Sequence, residues 1–252
     1  MKTNTPHNKL QQIAENFENM KIGVDDKFRF SCRQCGKCCT EREDILLSPF
    51  DLFRAAKKLN MTPDEFAKEY CDSYVGGTSN MVIVRLMPRG SIRRCPMLKD
   101  CKCSIHDVKP MVCAMFPIGR AFQLDPKKPG AEQITAENIQ FIFNGAHCGN
   151  AEEHTVREWL SSFNIPIKDE FFVLWQKTVS EIGDIMKYAE EKRASEKLLD
   201  LIYTVIYGLI YMEYDIGQEF MPQFRHNRER LLNLLHTIPG LNIRRGKNVE
   251  QL

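Results

Sequence analysis

The chain of 252 residues carries ten cysteines, and nine of them fall in three places. Cys32, Cys35, Cys38 and Cys39 crowd into the stretch SCRQCGKCCT. Cys95, Cys101, Cys103 and Cys113 stand in RRCPMLKDCKCSIHDVKPMVC, and Cys148 follows in HCG. Cys71 stands apart at the end of an apolar-striped segment and reads as a small buried residue. Thiols in such numbers allow three kinds of chemistry: disulfide cross-linking, redox exchange or metal ligation.

Two cysteines separated by two residues can turn both sulfurs toward one centre. A glycine after the second permits a tight turn that frees backbone amides to bond the sulfurs, and CRQCG has this form. The three-residue step from Cys32 to Cys35 to Cys38 is also the spacing with which thiolates grip an iron–sulfur cluster, a distant cysteine completing the set. Spacing alone leaves zinc and iron both open. Arg33 and Lys37 favour the thiolate form. Neighbouring side chains of an extended segment point to opposite sides, so Cys38 and Cys39 are expected to serve two centres or to leave one thiol spare. Eight cysteines suffice for two centres of four. His106 adds a candidate imidazole ligand, against the plainer reading of a loop histidine.

The compartment decides between metal and disulfide. The opening MKTNTPHNKL has no apolar run of the secretory kind, so the expected location is the cytoplasm, where thiols stay reduced and dense cysteines read as metal ligands. The longest uncharged run, Leu201 to Met212, is too short to span a bilayer and reads as a buried helix. Lys and Arg number 35 against 33 Asp and Glu, a net charge of +2, so no bulk attraction to nucleic acid or anionic lipid is evident. No phosphate cradle, Ser-His-Asp order or His-Glu-x-x-His motif is present in convincing form.

The elements that must position these thiols follow from periodicity. Leu10, Ile13, Phe17 and Met20 recur at helical spacing. Phe28 and Phe30 alternate in a strand that leads into the first cysteines. Ser48-Pro49 with Asp51, and Thr62-Pro63 with Glu65, start two capped helices. SNMVIVRLMPRG reads as a strand, LDPKKPGAE as a loop, and ITAENIQFIFNGAHC stays open between strand and helical turn. From Thr155 onward four segments carry apolar helical stripes, and residues from Leu241 read as a frayed tail. Tyr203, Tyr207, Tyr211 and Tyr214 form one such stripe, which reads as packing, with a pocket over the metal as the sharper alternative. The expected fold is α+β, mainly α: a loop-rich cysteine domain over 25–150 and an all-α region over 151–245.

The ordered motifs resemble a known family. Cys32-Arg-Gln-Cys35-Gly-Lys-Cys38-Cys39, Cys95-Pro96-Met97-Leu98, Cys103-Ser104-Ile105-His106, Lys109-Pro110, Cys113-Ala114-Met115-Phe116-Pro117 and Cys148-Gly149 are similar to the cysteine-cluster family named for Cys-x2-Cys-x2-Cys-Cys and held to chelate zinc or iron. The resemblance covers about residues 28 to 150. It implies eight ligands: Cys32, Cys35, Cys38, Cys39, Cys95, Cys103, Cys113 and Cys148. Cys101 is extra to the pattern. A segment of this kind also looks like part of flagellin lysine methylases, where an iron–sulfur centre is implied; with no methyl-donor site in view, only the metal carries over. The expected function is a metal-binding protein with iron–sulfur clusters, such as 4Fe–4S, serving a redox or protein-modifying reaction on an unnamed partner or substrate. A structural zinc module that recruits a partner and a metal chelator or carrier are the alternatives.

Overall fold

A computed structural model describes residues 16–40, 45–125, 130–145 and 152–238. Cys148 with its neighbours His147 and Gly149, the first residues of the N-terminal helical stripe, Pro126 to Pro129 of the expected loop and the C-terminal tail lie outside the described residues. Residues 16–20 of that stripe are helical.

The capping signals work as read. Helix α1 (Pro49–Lys58) starts at Ser48, whose side chain accepts from the Asp51 amide while the Asp51 carboxylate accepts from the Ser48 amide. Helix α2 (Pro63–Tyr70) repeats the device with Thr62 and Glu65. Both carry proline in the first turn, where the missing N–H costs nothing. The chain then turns straight into strand β4 (Cys71–Val75), which pairs antiparallel with β5 (Val82–Leu86). On its other edge β5 takes β3 (Leu46–Leu47), giving the order β3-β5-β4. Val82, Val84 and Leu86 alternate inward, the period-2 pattern of a half-buried strand.

A second sheet joins β1 (Lys21–Ile22), β9 (Ile139–Phe143) and β8 (Ile118–Phe122) in the order β1-β9-β8. Thus the segment left open in the sequence holds both a 3₁₀ turn, Ala136–Asn138, and a strand, Ile139–Phe143. Strand β2 (Lys27–Arg29) pairs with β10 (Glu153–Thr155), and β6 (Leu98–Lys99) with β7 (Lys102–Cys103) forms a hairpin. A short helix α3 (Met111–Met115) carries Cys113, and α4 (Val156–Ser161) follows β10. Helices α5 (Glu170–Glu191), α6 (Glu196–Tyr207) and α7 (Phe220–Thr237) make the C-terminal half helical, so the fold is α+β with helix dominant.

The largest core cluster draws on both halves. Leu52, Phe66, Val84, Met97 and Ile105 pack in one cluster with Ile182, Ile202, Ile206, Leu209 and Leu231. Each such side chain contributes about 1.5–3 kcal/mol by leaving water. Helix α6 runs into a single π turn, Gly208–Met212, and Tyr211 is buried there with its hydroxyl donating to the Val82 carbonyl at 3.2 Å. Tyr214 donates to the Ile210 carbonyl at 2.7 Å. The tyrosine stripe is therefore packing. Leu201, at the start of the apolar run, is 60% exposed, so α6 is half-buried and amphipathic.

Candidate metal centre

The first cysteine block leaves β2 through Phe30, which is buried edge-on against Phe116 and Trp159. Two left-handed residues then fold the loop back, Gln34 at φ 51° and Gly36 at φ 73°. A methyl group on Gly36 would meet only Leu98, at an ordinary 3.5 Å, so the backbone angle and not space calls for glycine. The Gln34 amide donates to Cys32 Sγ at 3.4 Å, the amide-to-sulfur bond that the Cys-x2-Cys-Gly form implies. Past Gly36 the chain enters a 3₁₀ turn, Lys37–Cys39, closed by the Cys39 amide on the Gly36 carbonyl at 2.9 Å. Cys38 and Cys39 are therefore not extended, and the opposite-sides premise fails. Their sulfurs lie 3.9 Å apart. Two thiolates on one tetrahedral ion, with metal–sulfur bonds of about 2.3 Å, lie about 3.8 Å apart, so the pair fits a single ion.

The second block is tied to the first by backbone. The Cys95 amide donates to the Cys39 carbonyl at 2.8 Å, and Leu98 N closes a turn on the Cys95 carbonyl at 3.1 Å. The β6–β7 hairpin turns on Asp100 and Cys101, both left-handed at φ 48° and 60°. That is the type I′ pattern, in which the second turn position favours glycine; here it holds Cys101.

Cys113 sits mid-way along α3, and α3 is pinned at both ends. At the start, the Met111 amide donates to Asp51 Oδ1 at 2.9 Å. At the end, Trp159 Nε1 donates to the Met115 carbonyl at 3.1 Å. Asp51 is 2% exposed and also accepts from Arg54 Nη2 at 3.1 Å. One buried carboxylate thus caps α1 and fixes the helix that presents a thiol.

These elements enclose one cavity of about 70 Å³. Cys32, Cys35, Cys38 and Cys39 line it from the first block, and Cys95, Cys101, Cys103 and Cys113 from the second. About 10–15 Å³ by the same measure holds one water, so the space takes several atoms. Seven of the eight expected ligands therefore meet in one place. Cys148 lies outside the described residues, and Cys101, extra to the family pattern, is in the cavity. Cys71 is elsewhere: it packs at the edge of the main core, and burial pushes its thiol up to about 12. None of the nine described cysteines forms a disulfide. Exposure grades across the cavity, from exposed Cys32, Cys35 and Cys101 to buried Cys95. Among the described residues no three His, Cys, Asp or Glu donors are already closed on one point, so the thiols are gathered rather than clamped.

Electrostatics explains what a cation would do here. The hydrogen bond with Cys38 comes first, then burial, then the charges of Cys38, Cys95 and Cys113; all push the Cys39 thiol far up. Burial raises Cys103, with Cys32 and Cys38 adding to it, while the Ile105 amide and Lys109 act the other way. Thiols that oppose one another's ionisation become thiolates together more readily when a metal ion supplies positive charge. The residues present fit a thiophilic metal. His106 lines the same cavity, and burial, then Lys109, lowers its pKa, which keeps the imidazole neutral.

Two residues that shape the cavity escaped the sequence reading. Asp51 was legible only as a helix cap. Lys109 was legible only as half of a Lys-Pro dipeptide, yet it is 7% exposed and lines the thiol cavity.

A model of the CxxCxxCC family, described as "Putative zinc- or iron-chelating domain", matches residues 31–140, a span that holds both cysteine blocks. The match agrees with the resemblance carried by the motifs. No curated protein and no solved structure matches the chain. Among the described residues no helix is long and apolar enough to cross a membrane.

Proposed function

We propose that the protein binds metal in the cysteine cavity, as an iron–sulfur centre that serves electron transfer to, or modification of, a partner or substrate. One observation carries the reading: eight thiols from two distant chain segments line a single cavity. Eight exceed the four that one tetrahedral ion takes, and the step of Cys32, Cys35 and Cys38 suits an iron–sulfur cluster. Exposed Cys32 and Cys35 bring one edge of the centre to the surface, where a partner can exchange electrons with it. The proposed ligands are Cys32, Cys35, Cys38, Cys39, Cys95, Cys103, Cys113 and Cys148, with Cys101 as a further thiol beside them. The cytoplasm, which keeps thiols reduced, is the compartment in which such a set stays available.

A second reading is zinc held structurally, and the 3.9 Å approach of Cys38 to Cys39 favours it, because each iron of a four-iron cube takes only one cysteine. Anaerobic purification with metal and sulfide quantification decides. Iron with matching sulfide and a brown colour supports the first reading; stoichiometric zinc in a colourless protein replaces it with the second. Rapid loss of the metal to a weak chelator identifies a carrier. Protein that takes up neither metal under reducing conditions refutes all three.

A further inference from the structure

Lys109 is a buried lysine in a cavity wall made mostly of thiols and apolar side chains, with Arg33, Gln34 and His106 beside them. Its Nζ lies 4.2 Å from the centroid of the Phe163 ring, which covers the ammonium on one side. The carboxylates of Asp51, which holds the amide two residues on, and of Asp107, two residues before, are engaged elsewhere. Asp51 holds Ser48, Arg54 and the Met111 amide. Asp107 pairs with Lys58 at 2.6 Å. Among the described residues no carboxylate pairs with Lys109, whose backbone carbonyl accepts from Arg54 at 3.3 Å and so fixes the residue in place.

An ammonium removed from water needs an anion, and a ring face offsets only part of that need. The anions this cavity can supply are thiolates. Four thiolates on one dication leave two negative charges in excess, so a loaded centre needs a cation as much as the lysine needs an anion. Arg33 also lines the cavity, and Lys37, Lys99 and Lys102 adjoin its cysteines in the chain, but all four are exposed, where water and salt screen them.

We propose that the Lys109 ammonium is the counter-cation of the thiolate centre, a positioning residue that donates to metal-bound sulfur and stabilises the loaded site. The proposal rests on the metal-binding reading above. Its electrostatic reach to Cys103 is in the expected sense, since Lys109 favours the Cys103 thiolate.

The test uses the full chain with Lys109→Met, which keeps the length and apolar stem, Lys109→Arg, which keeps the charge, and Lys109→Gln, which keeps a polar head should the methionine variant fold poorly. Zinc affinity is read by competition with a coloured chelator, and cobalt(II) substitution reads the sulfur-to-metal absorption bands. Loss of the cation weakens zinc binding about 10- to 100-fold and shifts the cobalt bands, whereas Lys109→Arg stays close to the parent. A folded Lys109→Met or Lys109→Gln protein with parental affinity and unshifted bands overturns the proposal, as does an arginine variant no better than the methionine one. A parent chain that binds neither metal overturns the metal-binding reading itself, a result distinct from any difference among the variants.

Discussion

Replacing Asp51 by alanine tests how the second cysteine block is held. The carboxylate accepts from Ser48 N at 3.1 Å, Ser48 Oγ at 2.7 Å, Arg54 Nη2 at 3.1 Å and Met111 N at 2.9 Å. Loss of the reciprocal cap costs about 1 kcal/mol. The bond from the Met111 amide to a charged acceptor is worth about 1.5–3 kcal/mol. Arg54 keeps some contact with water, its side chain being 22% exposed, so its lost pairing adds about 0–1 kcal/mol. The expected loss is about 2.5–5 kcal/mol, near the range for breaking a buried ionic partner. Asp51→Asn retains an acceptor oxygen but not the charge, and should lose about half as much. Urea unfolding with linear extrapolation measures both. Because α3 carries Cys113, the same variants should also bind zinc more weakly under conditions where they remain folded. A loss below about 1 kcal/mol for Asp51→Ala, or full loss of stability with parental zinc affinity, refutes the argument that this carboxylate positions the thiol.

Cys71→Ala should cost about 1 kcal/mol through lost packing and leave metal stoichiometry unchanged, checked by unfolding and metal analysis. The pH dependence of that residue has a definite sign. Its folded pKa of about 12 exceeds the ordinary 9.0, so its contribution is intact below about 9 and is lost as pH rises toward 12, which comparison of parent and variant at pH 8 and pH 11 reads directly. Arg120→Met strands the Asp169 carboxylate, now paired at 2.7 Å with both side chains under a tenth exposed, and should cost about 3–5 kcal/mol without altering metal content. Gly183→Ala would set a methyl group 2.6 Å from the Ser79 carbonyl oxygen, so α5 must shift; a cost of about 1–3 kcal/mol in urea unfolding is expected.

Local signals were read correctly from the sequence, and non-local ones were not. Ser48 with Asp51 and Thr62 with Glu65 declare their helices because a cap is completed within four residues. Val82, Val84 and Leu86 declare a strand because alternation is a local pattern. The segment Ile139–Phe143 stayed open because its strand character depends on two partners far along the chain. The Cys38–Cys39 pair was misjudged because its geometry hangs on the left-handed Gly36, and a glycine permits that angle without announcing it. Likewise Asp100-Cys101 makes a hairpin turn without the usual glycine. The gathering of the cysteines was legible in their number and order. The burial of Lys109 was not, since a lysine in a polar stretch carries no mark of the Phe163 ring that meets it from beyond the second block.

The core cluster that joins Met97 and Ile105 to Ile202 and Ile206 packs the two halves of the chain against each other. Met97 and Ile105 also line the thiol cavity. Any species that binds that cavity only in the folded chain adds its mass-action term to the whole: about 2.7 kcal/mol at a free concentration 100 times its dissociation constant. Amide hydrogens of α6, which bears no cysteine, should therefore exchange more slowly when metal is added, and the helical half becomes a remote reporter of what the cysteines hold.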